Sequence, residues 1–516
     1  MRIGIDVGGT NTDAVALEGT NVLASVKQTT SEDVTTGIVQ ALHSLRTQHE
    51  FGPTDVDAIM LGTTHFINAL VEGRDLAPTA TLRLGLPATA SLPPMVGWPQ
   101  RLISATRGRY FLAHGGHEFD GQEISSLQPD EIRAFAHDME AAGVRSVAIS
   151  SVFSPINDEF EEHAAEILRE ELGPGVALSL SHEIGRVGLL ERENATIINA
   201  SLRELADKII GRLVAVIDAE GYSCPLFLSQ NDGTLMDVEY ARKYPVATFA
   251  SGPTNSMRGA AITSGLETCA VIDIGGTTSD VGVLTNGFPR EATTVIDVAG
   301  VRTNFRMPDV LSMGIGGGSI VADGQVGPSS VGYRLTSEAL VFGGSTLTAT
   351  DIAVAAGLVD LGDASAVAHL DRDMVMAMVD QIAGRVADTV ERMRTSSAPL
   401  PVVAVGGGSV ILPKVLPGLG EIYLPENSGV ANAIGAAIAQ VSGEVDKVYS
   451  LATRDRSSVV EEAKADAIEK AIAAGASADN VEVVEFDEFP IPYLPGNATR
   501  IRVKAVGDLG IKEMAR

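Results

Sequence analysis

IDVGGTNTDAVAL at residues 5–17 and IDIGGTTSDVGVL at residues 272–284 are one pattern written twice, with Asp6 and Asp273 standing 267 residues apart. In each copy an apolar strand ends on Asp, turns at Gly-Gly-Thr, and leaves through a second apolar strand that begins with another Asp (Asp13, Asp280). One such stretch is only a hairpin. Two copies about a domain's length apart read as two halves of a site. A strand follows each turn, where a Rossmann unit or a P-loop would place a helix, and GxxxxGK[ST] occurs nowhere in the chain.

The residue types carry the chemistry. Gly8-Gly9 and Gly275-Gly276 let bare N–H groups approach phosphate oxygens. Thr10 and Thr277 add hydroxyl donors. Asp6 and Asp273 end their strands toward one cleft, where a carboxylate repels phosphate unless a cation intervenes. Mg²⁺ needs only one or two carboxylates plus phosphates, so both are expected as metal ligands and catalytic groups. One of them can also orient an attacking group. Asp13 and Asp280 either cap their hairpins or touch the ligand.

Outward from the repeat, VVAVGGGSVILPKV (residues 402–415) reads as a strand, a glycine loop and a helix. Its Gly406, Gly407, Gly408 and Ser409 allow a purine and ribose to lie against backbone. A fourth loop, residues 314–319, touches phosphates or the interface between lobes, or is a plain turn. The expected cofactors are therefore ATP and Mg²⁺. The expected nucleotide-binding residues are Gly8, Gly9, Thr10, Asn11, Gly275, Gly276, Thr277, Thr278, Gly316, Gly317 and the four of the third loop.

The remaining chain reads as α/β layers. Helices are predicted over 31–48, 63–71, 129–142, 157–173, 185–220, 371–394 and 429–441, with strands at 58–62 and 144–151. Residues 87–101 read as a loop. The tail reads as a helix over 461–474 and paired strands at 481–486 and 498–505. His114-Gly-Gly-His117 reads as the tip of a hairpin between 109–113 and 118–124, either a solvated turn or a metal pair. Of 516 residues 45% are hydrophobic, only 4% are aromatic and 54 are Gly, which fits an aliphatic α/β protein and no disordered or disulfide-stapled one. The net charge of −28 repels nucleic acid and anionic membrane, so neither is expected as a partner. Cys224 and Cys269 read as free buried thiols. Neither a signal peptide nor a membrane span is recognised, so a cytoplasmic location is expected.

With these motifs assembled, the chain resembles the actin/sugar-kinase/heat-shock-chaperone ATPase superfamily, the two DxGGT loops matching its phosphate motifs and VGGGSVILPKV its adenosine motif. Residues 188–205 and GVANAIGAAIA (429–439) resemble that superfamily's two connecting helices. Within it, LGTTHFINAL (61–70), SLSHEIGRVGLLERENATIINASL (179–202), LSQNDGTLM (228–236), SGPTNSMRGAA (251–261), MGIGGGSI (313–320) and TATDIAVAAG (348–357) resemble the A subunit of the hydantoinase/oxoprolinase family. The resemblance implies two actin-like, ribonuclease H-like domains flanking a nucleotide cleft, over 1–185 and 186–445, with a small α+β appendage over 446–516. It implies ATP-dependent opening of a cyclic amide such as a hydantoin or 5-oxoproline and a B-type partner subunit; an oligomer is also expected. Thr63, Thr64, His65 and Asn68 then face the acceptor, or form an ordinary helix cap. A stand-alone small-molecule kinase and an ATPase switch acting on a protein partner are the alternatives.

Overall fold

The computed structural model describes residues 1–8, 11–29, 34–292, 295–438, 440–452, 454–491 and 497–510. The first repeat folds as an antiparallel meander of β1 (Arg2–Val7), β2 (Asn11–Glu18) and β3 (Asn21–Thr29). Ile3, Ile5 and Val7 join Ile38, Leu42 and Leu45 of α1 (Val34–Gln48) in one core. Gly4 and Asp6 fall on the opposite face, as the two-residue period of a strand requires. β4 (Ala58–Thr63) pairs parallel to β1, and α2 (His65–Glu72) leaves its C-terminal end.

An all-parallel sheet follows, built from β5 (Thr79–Leu86), β6 (Arg109–His114), α3 (Pro129–Ala141), β7 (Ser146–Ser151), α4 (Glu159–Leu172) and β8 (Ala177–Leu180), in the order β6-β5-β7-β8. This corrects the hairpin predicted around His114, since β6 pairs parallel to β5 and only a bridge joins His117 to Glu123. The sequence conceals β5 because Arg83 interrupts its apolar run. That guanidinium is fully buried and donates to Glu193 of α5 (Leu189–Ala219) at 2.7 Å. β9 (Leu226–Ser229) and β10 (Leu235–Asp237) come after residue 185 yet join the first sheet, β9 lying parallel to β4.

After α6 (Ser251–Ser264) the second repeat forms β11 (Cys269–Ile274) and β12 (Ser279–Thr285), and β12 also pairs antiparallel with β13 (Val310–Met313). α7 (Arg372–Met393) packs Val375, Met378, Val379, Ile382, Val386 and Val390 on this sheet, at helical spacing. β14 (Val402–Val405) runs parallel to β11. The order β13-β12-β11-β14 thus repeats β3-β2-β1-β4, with the same sense at every pairing. The fold is α/β with two related ribonuclease H-like sheets.

No helix follows Ser409, contrary to the sequence reading. A single 3₁₀ turn, Ser409–Ile411, gives way to extended Leu412 because Pro413 disfavours the helical region for the residue before it. α8 (Ala431–Ala436) is shorter than predicted, since strand resumes at Gln440. The helix packed across α8 is α6. Gly259 and Gly435 make the crossing possible, as a Cβ on either would overlap backbone of Ala431 or Asn255. The C-terminal α+β part continues the first sheet. β15 (Gln440–Tyr449), α9 (Arg456–Ala473), β16 (Glu482–Pro490) and β17 (Thr499–Asp508) complete the nine-strand order β16-β17-β15-β10-β9-β4-β1-β2-β3. α9 buries Val459, Ala463, Ala467 and Ala471 against it. Among the described residues no helix is long and apolar enough to cross a membrane.

Candidate functional site

Strand register sets the site. Asp6 stands opposite Asp13 on β2 and beside Gly62 on β4; Asp273 stands opposite Asp280 on β12 and beside Val405, which leads into Gly406. A Cβ at Gly62 would strike the Asp6 carboxylate, and one at Gly406 (φ 86°) would strike that of Asp273. A glycine thus leaves room for each carboxylate, in register with Asp6 in the first copy and one position further on from Asp273's partner in the second.

Asp6 is 5% exposed. Its Oδ1 accepts from Asn255 Nδ2 at 3.1 Å and its Oδ2 from Asn432 Nδ2 at 3.0 Å. The same Asn432 amide donates to Asp13 at 2.8 Å, and Lys27 Nζ grips both Asp13 oxygens at 2.6 and 2.7 Å. Burial pushes the Asp6 carboxyl up to about 6, and the Asp13 charge adds to it, against the two amides and Lys27. Burial likewise takes Asp273 up to about 6, the charges of Asp280 and Asp6 adding, Ser256 and Lys27 opposing. Asp280, hydrogen-bonded by Ser312, is also raised by burial. The charge of Asp6 thus bears on Asp273, and both carboxylates, Asp6 buried and Asp273 partly so, resist ionising chiefly because they are desolvated. They offer the hard oxygen donors that Mg²⁺ takes, so the residues fit that ion.

The glycine loops stack. Gly8 N–H donates to Asn11 C=O at 3.0 Å and Gly275 N–H to Thr278 C=O at 2.9 Å, one turn made twice. Gly9 and Thr10 lie outside the described residues. On one side of the second turn, Gly317 and Gly318 donate to the carbonyls of Gly275 and Gly276; on the other, Gly408 donates to that of Ile274. Gly316, Gly317, Gly408 and Ser409 are buried, whereas Thr277, Thr278 and Gly407 are exposed. The buried residues brace the second turn, and the exposed ones present surface to a ligand.

Thr63 is buried, and its carbonyl accepts from Ser251 Oγ at 3.1 Å. Thr64 occupies the cap position of α2, with Asn68 Nδ2 3.4 Å from its hydroxyl. Burial lowers the pKa of His65. The four residues sit together at the end of β4, next to the end of β1. The His114 and His117 rings do not make a metal pair. His114 Nδ1 is 2.8 Å from Glu131, while His117 is buried with its ring 4.3 Å from that of Phe160. Burial also contradicts the solvated turn expected at His117. Cys269 is buried and Cys224 partly so, both free.

The sequence reading passed over Lys27, Asn255, Ser256 and Asn432. Asn432 carried a signal, as an amide among Ala, Ile and Gly in GVANAIGAAIA. Asn255 and Ser256 lay in SGPTNSM, which was noted only as a likeness.

Comparison with known proteins agrees with this frame. The profile of the hydantoinase/oxoprolinase N-terminal region matches residues 2–172, and the hydantoinase/oxoprolinase profile matches 192–393. The chain belongs to the hydantoinase/oxoprolinase family. It is 28% identical over 418 residues to the caprolactamase alpha subunit of Pseudomonas jessenii, covering 75% of this chain and 58% of that one. It is 26% identical over 401 residues to the acetophenone carboxylase gamma subunit of Aromatoleum aromaticum, covering 69% and 53%. The chain therefore spans little more than half the length of these relatives. Among solved structures, the ATP-dependent caprolactamase of P. jessenii superposes with a TM-score of 0.77 at 20% identity, covering 98% of this chain and 87% of that one. At that identity the likeness is one of fold.

Proposed function

We propose that this member of the hydantoinase/oxoprolinase family is the nucleotide-using subunit of an ATP-dependent hydrolase that opens a cyclic amide such as a hydantoin or 5-oxoproline. One observation carries the reading: two carboxylates at mirrored strand ends, Asp6 buried and Asp273 partly so, each beside a glycine turn and both pushed up to about 6 chiefly by burial. Relatives that include an ATP-dependent caprolactamase support it.

Amide resonance leaves a ring carbonyl a poor electrophile. Transfer of the γ-phosphoryl of ATP to the carbonyl oxygen gives an imidate carbon that water attacks. The adduct expels the protonated ring nitrogen, which breaks the C–N bond and leaves an acyl phosphate, and a second water hydrolyses that to carboxylate and inorganic phosphate. The protein's part is positioning and charge neutralisation. The units at work are the two repeat-bearing lobes, 1–185 and 186–445, with β9 and β10 lying in the sheet of the first and residues 446–516 extending it. Asp6 and Asp273 would hold Mg²⁺, which when bound neutralises charge on phosphate oxygens. Gly8 to Asn11 and Gly275 to Thr278 would offer N–H and hydroxyl donors to the phosphates, braced by Gly316 and Gly317. Gly407, held by buried Gly408 and Ser409, would lie against adenosine. Thr63, Thr64, His65 and Asn68 would line the acceptor side, where an imidazole kept neutral by burial exchanges hydrogen bonds with a ring amide without competing for the cation. A B-type subunit completes the reaction in this reading, since both relatives described above are named as subunits.

The test is a screen for ADP release over hydantoins, 5-oxoproline and caprolactam, with and without a co-expressed B-type subunit. Asp6→Ala and Asp273→Ala variants that stay folded should lose magnesium-dependent ATP binding. Wild-type affinity in both would overturn the site. Phosphorylated product from free hydroxyl compounds, with no ring opened, would make the chain a kinase instead.

A further inference from the structure

We propose that Lys27 is a phosphate-binding residue of the cleft, reaching from the first repeat to the third glycine loop; this rests on the nucleotide reading above. Lys27 lies on β3 directly opposite Asp13, and its ammonium meets both Asp13 oxygens. An ammonium has three N–H groups. Among the described residues it donates only to Asp13, which leaves one N–H for a ligand. The side chain is 36% exposed while its Asp13 partner is 3% exposed, so the open end of the pair is the cationic one.

The stem of Lys27 also crosses the cleft. A Cβ at Gly407 would lie 3.5 Å from Lys27 Cε. Gly407 is the exposed glycine of the third loop, and it belongs to the second repeat's half of the molecule.

The charge balance gives the lysine a purpose. Four carboxylates, Asp6, Asp13, Asp273 and Asp280, flank the two glycine turns. Magnesium with ATP still carries net negative charge, and the protein as a whole carries −28. A phosphate chain entering between these turns needs a fixed cation that the global field does not supply. Lys27 is placed to provide it, and Asn432, bonded to both Asp6 and Asp13, keeps the lysine's partner in register with the metal-side carboxylate.

The experiment is isothermal titration of wild type, Lys27→Met and Lys27→Arg with Mg·ATPγS, Mg·ADP and adenosine. Loss of a charge-assisted contact should weaken Mg·ATPγS and Mg·ADP by about 10- to 100-fold in Lys27→Met. Adenosine should stay within about twofold, and Lys27→Arg should recover most of the phosphate-dependent affinity. A Lys27→Met/Asp13→Asn double variant, which leaves no unpaired carboxylate behind, should show the same selectivity. If Lys27→Met binds Mg·ATPγS as wild type does, or weakens all three ligands by one factor, the proposal fails. If wild type binds none of them, the nucleotide reading fails and takes this one with it.

Discussion

Asp6→Asn should make the protein without nucleotide more stable while removing its response to magnesium and ATP. The Asp6 carboxyl is 5% exposed and rises from 3.8 to about 6 on folding. That rise makes the ionised form about 3 kcal/mol less favourable in the folded chain than in the unfolded one. The sign follows from the direction. A group whose pKa is raised by folding stabilises most fully below its unfolded value, and that contribution is lost as pH climbs through 6. At pH 7.5 wild type therefore bears the whole penalty. Asparagine carries no charge, but its own NH₂ must face one of two amide donors, Asn255 or Asn432, which returns about 1–2 kcal/mol. The net expectation is a gain of about 1–2 kcal/mol at pH 7.5, smaller by about 1 kcal/mol at pH 5.5. Urea unfolding followed by far-ultraviolet circular dichroism at both values reads it. Repeated with Mg·ATP at a hundred times its Kd, the same titration should add about 2.7 kcal/mol to wild type and little to the variant. A variant less stable than wild type at pH 7.5 without ligand, or one gaining the full increment from Mg·ATP, would refute the reasoning.

Mg·ATP affinity should fall below pH 6, by up to about tenfold per pH unit for each of Asp6 and Asp273 as protons compete with the cation; titration calorimetry from pH 5 to 8 checks the slope. Gly435→Ala should cost about 1–3 kcal/mol or more and weaken nucleotide binding as well, because the new methyl meets the backbone of Asn255 and shifts the amide that holds Asp6; denaturation and calorimetry read both effects. Lys504→Met should cost about 3–5 kcal/mol, since it strands buried Asp232, which Lys504 at 2.8 Å and Thr234 hold below the ordinary carboxylate range against the pull of burial. That loss should be full at pH 7 and shrink as pH drops below 4, where the carboxylate takes up a proton; urea midpoints across that range measure it.

The repeat was legible because its physics is local. A strand, a glycine turn and a second strand lie in consecutive residues, so Asp6, Asp273 and their sheets followed from thirteen letters read twice. The long helix over 189–219 was legible for the same reason. What escaped depended on distant partners. β5 hid behind Arg83 because the ion pair that makes a buried arginine tolerable comes from Glu193, 110 positions away. The helix that packs across α8 escaped because α6 is marked by the small residues that let it cross, not by apolar periodicity. Lys27 looked like any strand lysine until Asp13 and Gly407 stood beside it. The tail, set apart by composition, belongs by hydrogen bonding to the first sheet.

Asn255 serves Asp6 and the next residue, Ser256, serves Asp273. Adjacent positions on one α-helix are about 100° apart, so this helix meets the two halves of the site as a key meets two wards. A single inserted residue upstream in α6 would turn both teeth away together, whereas the loops of either repeat can exchange Thr, Asn or Ser without disturbing the other. Length in this helix is therefore under tighter constraint than sequence in the loops. In any diverging set of such proteins, insertions and deletions should be sparse between residues 251 and 256 even where the glycine turns have drifted.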